Sequence, residues 1–146
     1  MLTRQAVHDQ RMPIHLLIVD DSELIRASLH ALLKSVAGIS SIREAATLGQ
    51  ALDSVRQDPP TLVILDMRLP EGLGMDIIQP LKQLVPTVLI AMFTLHANQV
   101  YRKRCLALGA DWFFDKLDAT EPLLEVVRQH AAENAIKHAN QGAHQE

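Results

Sequence analysis

The chain has 146 residues and a formal net charge of −3, from 14 lysines and arginines against 17 aspartates and glutamates. One domain of this length buries a single core without staples, the charge offers no basic field for nucleic acid, and the lone Cys105 excludes an intrachain disulfide and fits a reducing compartment. The apolar stretch around Val88–Phe93 is far shorter than the ~20 residues of a membrane helix, and the polar segment Met1–Met12 has no signal-peptide centre, so cytoplasm is the expected location.

In chain order, the first apolar run, Ile14 to Val19, predicts a strand. The series Ile25, Leu29, Leu32, Leu33, Val36 then follows the spacing of one buried helical face. A weaker strand is expected over Ile39 to Glu44. It precedes a helix with Leu48, Ala51, Leu52 and Val55 inward, opened by Thr47 and Gln50 in a capping-box pattern. Leu62 to Leu65 is a third strand. The next helix, Met75 to Val85, places Ile77, Ile78, Leu81 and Leu84 inward and contains Pro80, which predicts a bend or a late start because proline removes a backbone donor. A fourth strand is expected over Thr87 to Met92. A fourth helix over Ala97 to Leu108 follows, with Tyr101, Cys105 and Leu108 on one face and Gly109 as a left-handed cap. A fifth strand, Trp112 to Phe114, leads to a helix from Thr120 that tolerates Pro122 in its first turn. That helix turns Leu123, Val126, Val127 and His130 inward before fading into a polar tail.

Five strand-helix units in this order imply an α/β fold: a doubly wound, five-stranded parallel sheet of order 2-1-3-4-5 with five helices, since right-handed crossovers through helices are the usual way to join parallel strands. In such sheets ligands bind beyond the carboxyl ends of the strands where strand order reverses, here between strands one and three. Asp20 and Asp21 end the first strand and Asp66 ends the third. Two carboxylates ~4 Å apart repel by about 4 kcal/mol at an effective dielectric near 20, so their convergence calls for a cation. Magnesium suits better than calcium, because it takes few carboxylates and leaves positions for water and phosphate oxygens. Thr94 and Lys116, at the ends of strands four and five, add a hydroxyl and an ammonium suited to a dianionic phosphoryl group.

The string Asp20-Asp21, Leu65-Asp66-Met67-Arg68-Leu69-Pro70 with Gly74, Thr94, Gly109-Ala110-Asp111 and Lys116 resembles the receiver domain of two-component response regulators, a flavodoxin-like fold, over roughly residues 14 to 134. The resemblance implies that Asp66 is the phosphoacceptor, attacking a phosphohistidine and becoming an acyl phosphate. It implies Mg2+ held by Asp21, Asp66 and the backbone carbonyl of Arg68, with Asp20 ligating the ion or holding its water. Lys116 would pair with Asp66 and then the phosphoryl group, and Thr94 would bond a phosphoryl oxygen and move with it. Phe113 matches the family's switching aromatic. The partners implied are a sensor histidine kinase or histidine phosphotransfer protein and a downstream protein target, with no nucleic acid and no membrane, and a homodimer compatible with the last helices. The chain would catalyse phosphotransfer only to itself.

Departures from the family pattern bear on kinetics. Leu95 replaces a small residue, which predicts a narrower phosphoryl pocket; Phe113 lacks a hydroxyl, so a switch works through packing; Leu117 stands where proline is usual; and Arg68 and His96 flank the site, predicting slow hydrolysis of the phosphoaspartate. The domain reading is an N-terminal extension over 1–13, the receiver over 14–134, and a polar tail over 135–146 with no output module. The histidines His130, His138 and His144 lack paired ligand spacing, and Arg102-Lys103-Arg104 reads chiefly as a solvated charge run. Two rival readings are a phosphorylation-independent interaction module and an aspartyl-phosphate hydrolase of haloacid dehalogenase type. The second wants another aspartate where Arg68 stands.

Overall fold

The computed structural model describes residues 13–144, with side chains through residue 132, so the segment before Pro13 and the side chains of His138 and His144 lie outside the described residues. Strands β1 (Ile14–Val19), β2 (Ile39–Ala45), β3 (Leu62–Leu65), β4 (Leu89–Thr94) and β5 (Trp112–Asp115) form one parallel sheet in the order β2-β1-β3-β4-β5. Helices α1 (Glu23–Leu33), α2 (Leu48–Gln57), α3 (Ile78–Leu84), α4 (Gln99–Leu108) and α5 (Thr120–His144) connect and follow them. The doubly wound order expected from the sequence is the order found.

Both faces of the sheet are covered, which is why its central strands are apolar without alternation. Leu17, Val19, Val63, Leu65, Ile90 and Met92 point to the side of α2, α3 and α4, where Ala51, Val55, Ile78, Leu81 and Cys105 meet them. The intervening Leu16, Ile18, Leu62, Ile64, Ala91 and Phe93 face α1 and α5 through Leu29, Leu33, Leu123, Leu124 and Val127. Register then carries the site: Val19 pairs with Leu65, so β1 and β3 end side by side and release Asp20 and Asp66 as neighbours.

Several expectations need correction. In α1 the buried stripe is centred on Leu29 and Leu33, so Leu32, about 80° around the helix from that centre, is exposed, and Val36 falls beyond the helix. Pro80 gives the late start: a 3-10 turn over Gly74–Ile77 precedes α3, leaving proline in the first α-helical turn. Leu84 is exposed as the last residue of α3, and Val85 packs on the core instead. Strand β4 starts later than expected because the Val88 N–H turns back to the Val85 carbonyl at 2.9 Å, and it runs on to Thr94, whose carbonyl accepts from Lys116 N–H at 3.0 Å. Among the described side chains of α5 the buried ones are Leu123, Leu124, Val127 and Ala131, with Val126 and His130 half-buried at the margin. The helix does not fade near residue 134 but continues to His144, through alanines, Glu133, Lys137 and Gln141 that favour helix and without proline.

A feature not foreseen is a two-stranded hairpin directly after Asp66, pairing Arg68–Leu69 with Gly72–Leu73. Gly74 closes it, its N–H donating to the Met67 carbonyl at 2.6 Å. A Cβ at residue 74 would overlap the Asp66 carbonyl oxygen and crowd Leu65, so glycine here serves close backbone approach. Gly74→Ala is therefore expected to lower unfolding free energy by about 3 kcal/mol or more, the upper end for an overpacked site. A urea midpoint equal to that of the parent would show that the loop moves aside freely.

Candidate functional site

The sheet delivers the acidic residues with its own hydrogen bonds. The Asp20 N–H donates to Ala45 O at 3.0 Å on β2, and the Asp66 N–H donates to Val19 O at 2.9 Å on β1. Each carboxylate thus sits one residue past a strand whose ladder still holds its backbone. Asp20 accepts the Ser22 N–H through Oδ1 at 2.9 Å, and Ser22, rather than either aspartate, caps α1 by accepting Ile25 N–H at 3.2 Å. Asp21 is exposed and has no hydrogen bond or ion pair among the described residues.

Asp20, Asp21 and Asp66 each bring a carboxylate oxygen into a group whose members lie within 4.8 Å of one another. One ammonium answers two of them: Lys116 Nζ is 2.5 Å from Asp20 Oδ2 and 2.9 Å from Asp66 Oδ2. The sequence reading paired Lys116 with Asp66 alone; the contact to Asp20 follows from β1 lying next to β3. Asp66 Oδ1 accepts the Met67 N–H at 2.7 Å, which fixes the carboxylate plane.

These groups are buried, and burial and pairing act on them differently. Desolvation raises the Asp20 pKa above the ordinary carboxylate value, and the neighbouring Asp66 charge adds to it, against lowering by Lys116 and the Ser22 N–H. For Lys116, burial works against the charge, but the hydrogen bonds and charges of Asp20 and Asp66 outweigh it and raise its pKa. With one ammonium among three carboxylates, Asp21 is left unanswered. A cluster of hard oxygen donors with surplus negative charge fits a divalent cation.

The remaining predicted residues lie on β4, on β5 and in the turns that follow β3, β4 and β5. Thr94 is fully buried at the end of β4, its Oγ1 accepting His96 N–H at 3.1 Å, so its own proton is left to donate. Phe113 is buried against the α2–α4 side, and its carbonyl accepts from Arg102 Nη1 at 3.2 Å, although Arg102, like Lys103 and Arg104, is exposed. Leu95 is 58% exposed and Leu117 80% exposed; His96 and Arg68 are exposed as well, with Arg68 Nη2 at 3.4 Å from the Tyr101 hydroxyl. Leu117 uses the N–H that proline would lack, donating to Asp115 Oδ1 at 2.9 Å. Asp115 thereby shapes the lysine loop, a role missed in the sequence although an aspartate two residues before an exposed turn is a known turn former. Arg26, whose Nη1 donates to Asp20 O at 2.6 Å, was also missed.

Comparison with known proteins agrees with this geometry. The family model for the response regulator receiver domain matches residues 16–128. The chain is 34% identical over 121 residues to the transcriptional activator protein ExaE of Pseudomonas putida, covering 82% of this chain and 56% of that protein; the chain spans about half the length of the curated relatives it matches. Among solved structures, a CheY-like response regulator receiver domain protein from Methanospirillum hungatei JF-1 is similar at a TM-score of 0.76 and 26% identity, over 86% of this chain and 98% of that one. A response regulator from Burkholderia pseudomallei, with a phosphorylated aspartic acid, a calcium ion and citrate, shares the fold at a TM-score of 0.72 and 24% identity, over 88% of this chain and 74% of that one.

The raised Asp20 pKa makes a pH-dependent prediction. A carboxyl that holds its proton more tightly in the folded than in the unfolded chain contributes stability below the ordinary value of 3.8 and loses it as pH rises through the raised value. In EDTA at neutral pH, Asp20→Asn is therefore expected to be more stable than the parent, with the gap closing as pH falls below 3.8. Denaturant titrations across pH check this, and a gap that widens toward acid would contradict it.

Proposed function

We propose that this chain, which belongs to the response regulator receiver domain family, accepts a phosphoryl group on Asp66 from a histidine kinase or a histidine phosphotransfer protein and signals through phosphorylation-controlled binding to a downstream protein. The observation that carries the reading is the double contact of Lys116 with Asp20 and Asp66, 2.5 and 2.9 Å, at the edge of a three-carboxylate cluster. A lysine so placed already neutralises the acceptor and need move little to meet a phosphoryl oxygen.

In the proposed step a carboxylate oxygen of Asp66 attacks phosphorus in line, forming an acyl phosphate bond as the bond from phosphorus to the donor imidazole breaks. Lys116 then pairs with the phosphoryl oxygens, and the Thr94 hydroxyl donates its free proton to one of them, the side chain moving away from the His96 N–H as it does so. The residues that would hold Mg2+ are Asp20, Asp21, Asp66 and the backbone carbonyl of Arg68. When bound, that ion offsets the carboxylate charge and polarises the phosphoryl oxygens. The reaction is with the chain's own aspartate, not turnover of an outside substrate.

The switch we assign is the Thr94 and Phe113 region, acting on the surface of α4, β5 and α5 by shifting a two-state equilibrium. Phe113 has no hydroxyl and is buried, so its contribution is packing. We assign the receiver to residues 14–134 and place it in the cytoplasm; among the described residues no helix is long and apolar enough to cross a membrane.

Intact mass after incubation with acetyl phosphate and MgCl2 tests the proposal. A gain of one phosphoryl group in the parent and none in Asp66→Ala is expected; an unmodified parent under conditions that phosphorylate a control receiver would refute it. The same assay tests the flanking residues. Leu95 follows Thr94 directly, so Leu95→Ala is expected to speed modification by acetyl phosphate severalfold, and an unchanged rate would remove the steric role given to Leu95.

A further inference from the structure

The turn that carries Asp20 and Asp21 is gripped from behind. One residue past β1 the Asp20 N–H still bonds to Ala45 O on β2, while its carbonyl has left the sheet. Arg26 takes that carbonyl, Nη1 donating at 2.6 Å, and with the other limb of the guanidinium, Nε, donates to Glu44 Oε1 on β2 at 3.1 Å. The Arg26 N–H bonds to Ser22 O at 3.0 Å in the first turn of α1. Glu44 is held in turn by His30, whose Nδ1 lies 3.0 Å from Oε2. A single guanidinium thus ties α1, β2 and the acidic turn together, with its side chain only 15% exposed. A planar fork can serve two acceptors at once, and a lysine ammonium cannot hold both in that geometry.

The grip falls on the peptide between the two aspartates. That unit is planar, so fixing the Asp20 carbonyl also fixes the direction in which the Asp21 N–H and backbone depart. Asp21 has no side-chain partner among the described residues, so the peptide plane is what sets the point from which its side chain departs toward the cluster. The Arg26 contact falls on the Asp20 backbone carbonyl and not on its carboxylate, so its action is on backbone geometry.

We propose that Arg26, braced by Glu44, is a positioning residue that orients the Asp20–Asp21 turn and so sets the chain's affinity for the divalent ion. This rests on the phosphoacceptor reading above. Outer partners that orient metal ligands typically contribute 10- to 100-fold in metal affinity. Arg43 supplies an internal comparison: it also sits on β2 and also grips carbonyls, those of Ser54 at 3.1 Å and Asp58, but at the far end of α2.

The test is calorimetric titration of the full chain with MgCl2, alongside denaturant stability and the acetyl phosphate reaction, for the parent, Arg26→Lys, Glu44→Gln and Arg43→Lys. Arg26→Lys is expected to weaken Mg2+ binding about tenfold, while its phosphorylation rate recovers toward that of the parent when MgCl2 is raised to saturation. Arg43→Lys should lose stability with Mg2+ affinity unchanged. Glu44→Gln, a change on an exposed side chain, should weaken Mg2+ binding in the same direction, by more than twofold and by less than Arg26→Lys, and decides the question if Arg26→Lys does not fold. Mg2+ affinity within twofold of the parent in the Arg26 or Glu44 variant, with stability lowered as in Arg43→Lys, would reduce Arg26 to a structural residue. A parent that binds no Mg2+ would instead bring down the phosphoacceptor reading, and this inference with it.

Discussion

Three carboxylates share a space with one ammonium, and the rest of the molecule is arranged so that they cannot move apart. Like charges at such distances repel by several kcal/mol, and a flexible chain would relax by separating them. Here the β1–β3 register sets Val19 beside Leu65, and the strands are locked by side chains buried on both faces. The repulsion is therefore stored at the sheet edge. Burial first, and the Asp66 charge after it, raise the pKa of Asp20; the negative charge is met in part by Lys116, whose own loop is anchored to β4 through Thr94 O. A site held this way gains from a ligand that brings positive charge, such as the divalent ion of the proposed function.

The supports of the site lie on different elements, so it is sensitive to more of the fold than its own residues suggest. Arg26 and Glu44 hold the acidic turn from α1 and β2. Gly74 allows the hairpin to fold back against the Asp66 carbonyl, and Glu71 at the hairpin tip accepts the Leu48 N–H, joining it to the start of α2. Asp115 arranges the turn after Lys116. On the opposite rim of β4, Asp111 accepts both the Ile90 N–H at 2.9 Å and Lys82 Nζ at 3.0 Å, closing the turn into β5 behind the left-handed Gly109.

What was legible in the sequence was whatever depends on local pattern. Unbroken apolar runs marked the strands because both faces are buried, and Thr47 with Gln50 marked the start of α2, where Thr47 accepts the Gln50 N–H at 3.0 Å while Gln50 reaches Ala46 N–H at 2.8 Å. Asp20, Asp66, Thr94 and Lys116 stood out because each ends a strand, and the sheet order brought them together. Less legible were features set by contacts across the chain. The exposure of Leu32 and Leu84 depends on how each helix is rotated against the sheet, which spacing alone does not specify. Arg26 looked like an ordinary helical arginine, since its acceptor is a backbone carbonyl that no residue type announces. Asp115 was hidden by its position between Phe114 and Lys116, where it reads as the polar end of a strand.

The missing hydroxyl at Phe113 bears on how a signal would leave the site proposed here. Thr94 is buried and its oxygen accepts the His96 N–H, so the side-chain movement proposed for it would strain a contact in the loop that leads into α4. That helix begins at Asn98, whose side chain accepts the Tyr101 N–H at 2.9 Å, and it is tied to β5 by Arg102 bonding the Phe113 carbonyl. The aromatic ring has no polar partner to gain or lose when Thr94 moves. In the proposed switch only the volume around it would change, and close-packed interiors respond to such changes by discrete repacking. A displacement at Thr94 would therefore pass to α4 along its own loop and through the Arg102 tether, with Phe113 as the packed body around which the two arrangements differ.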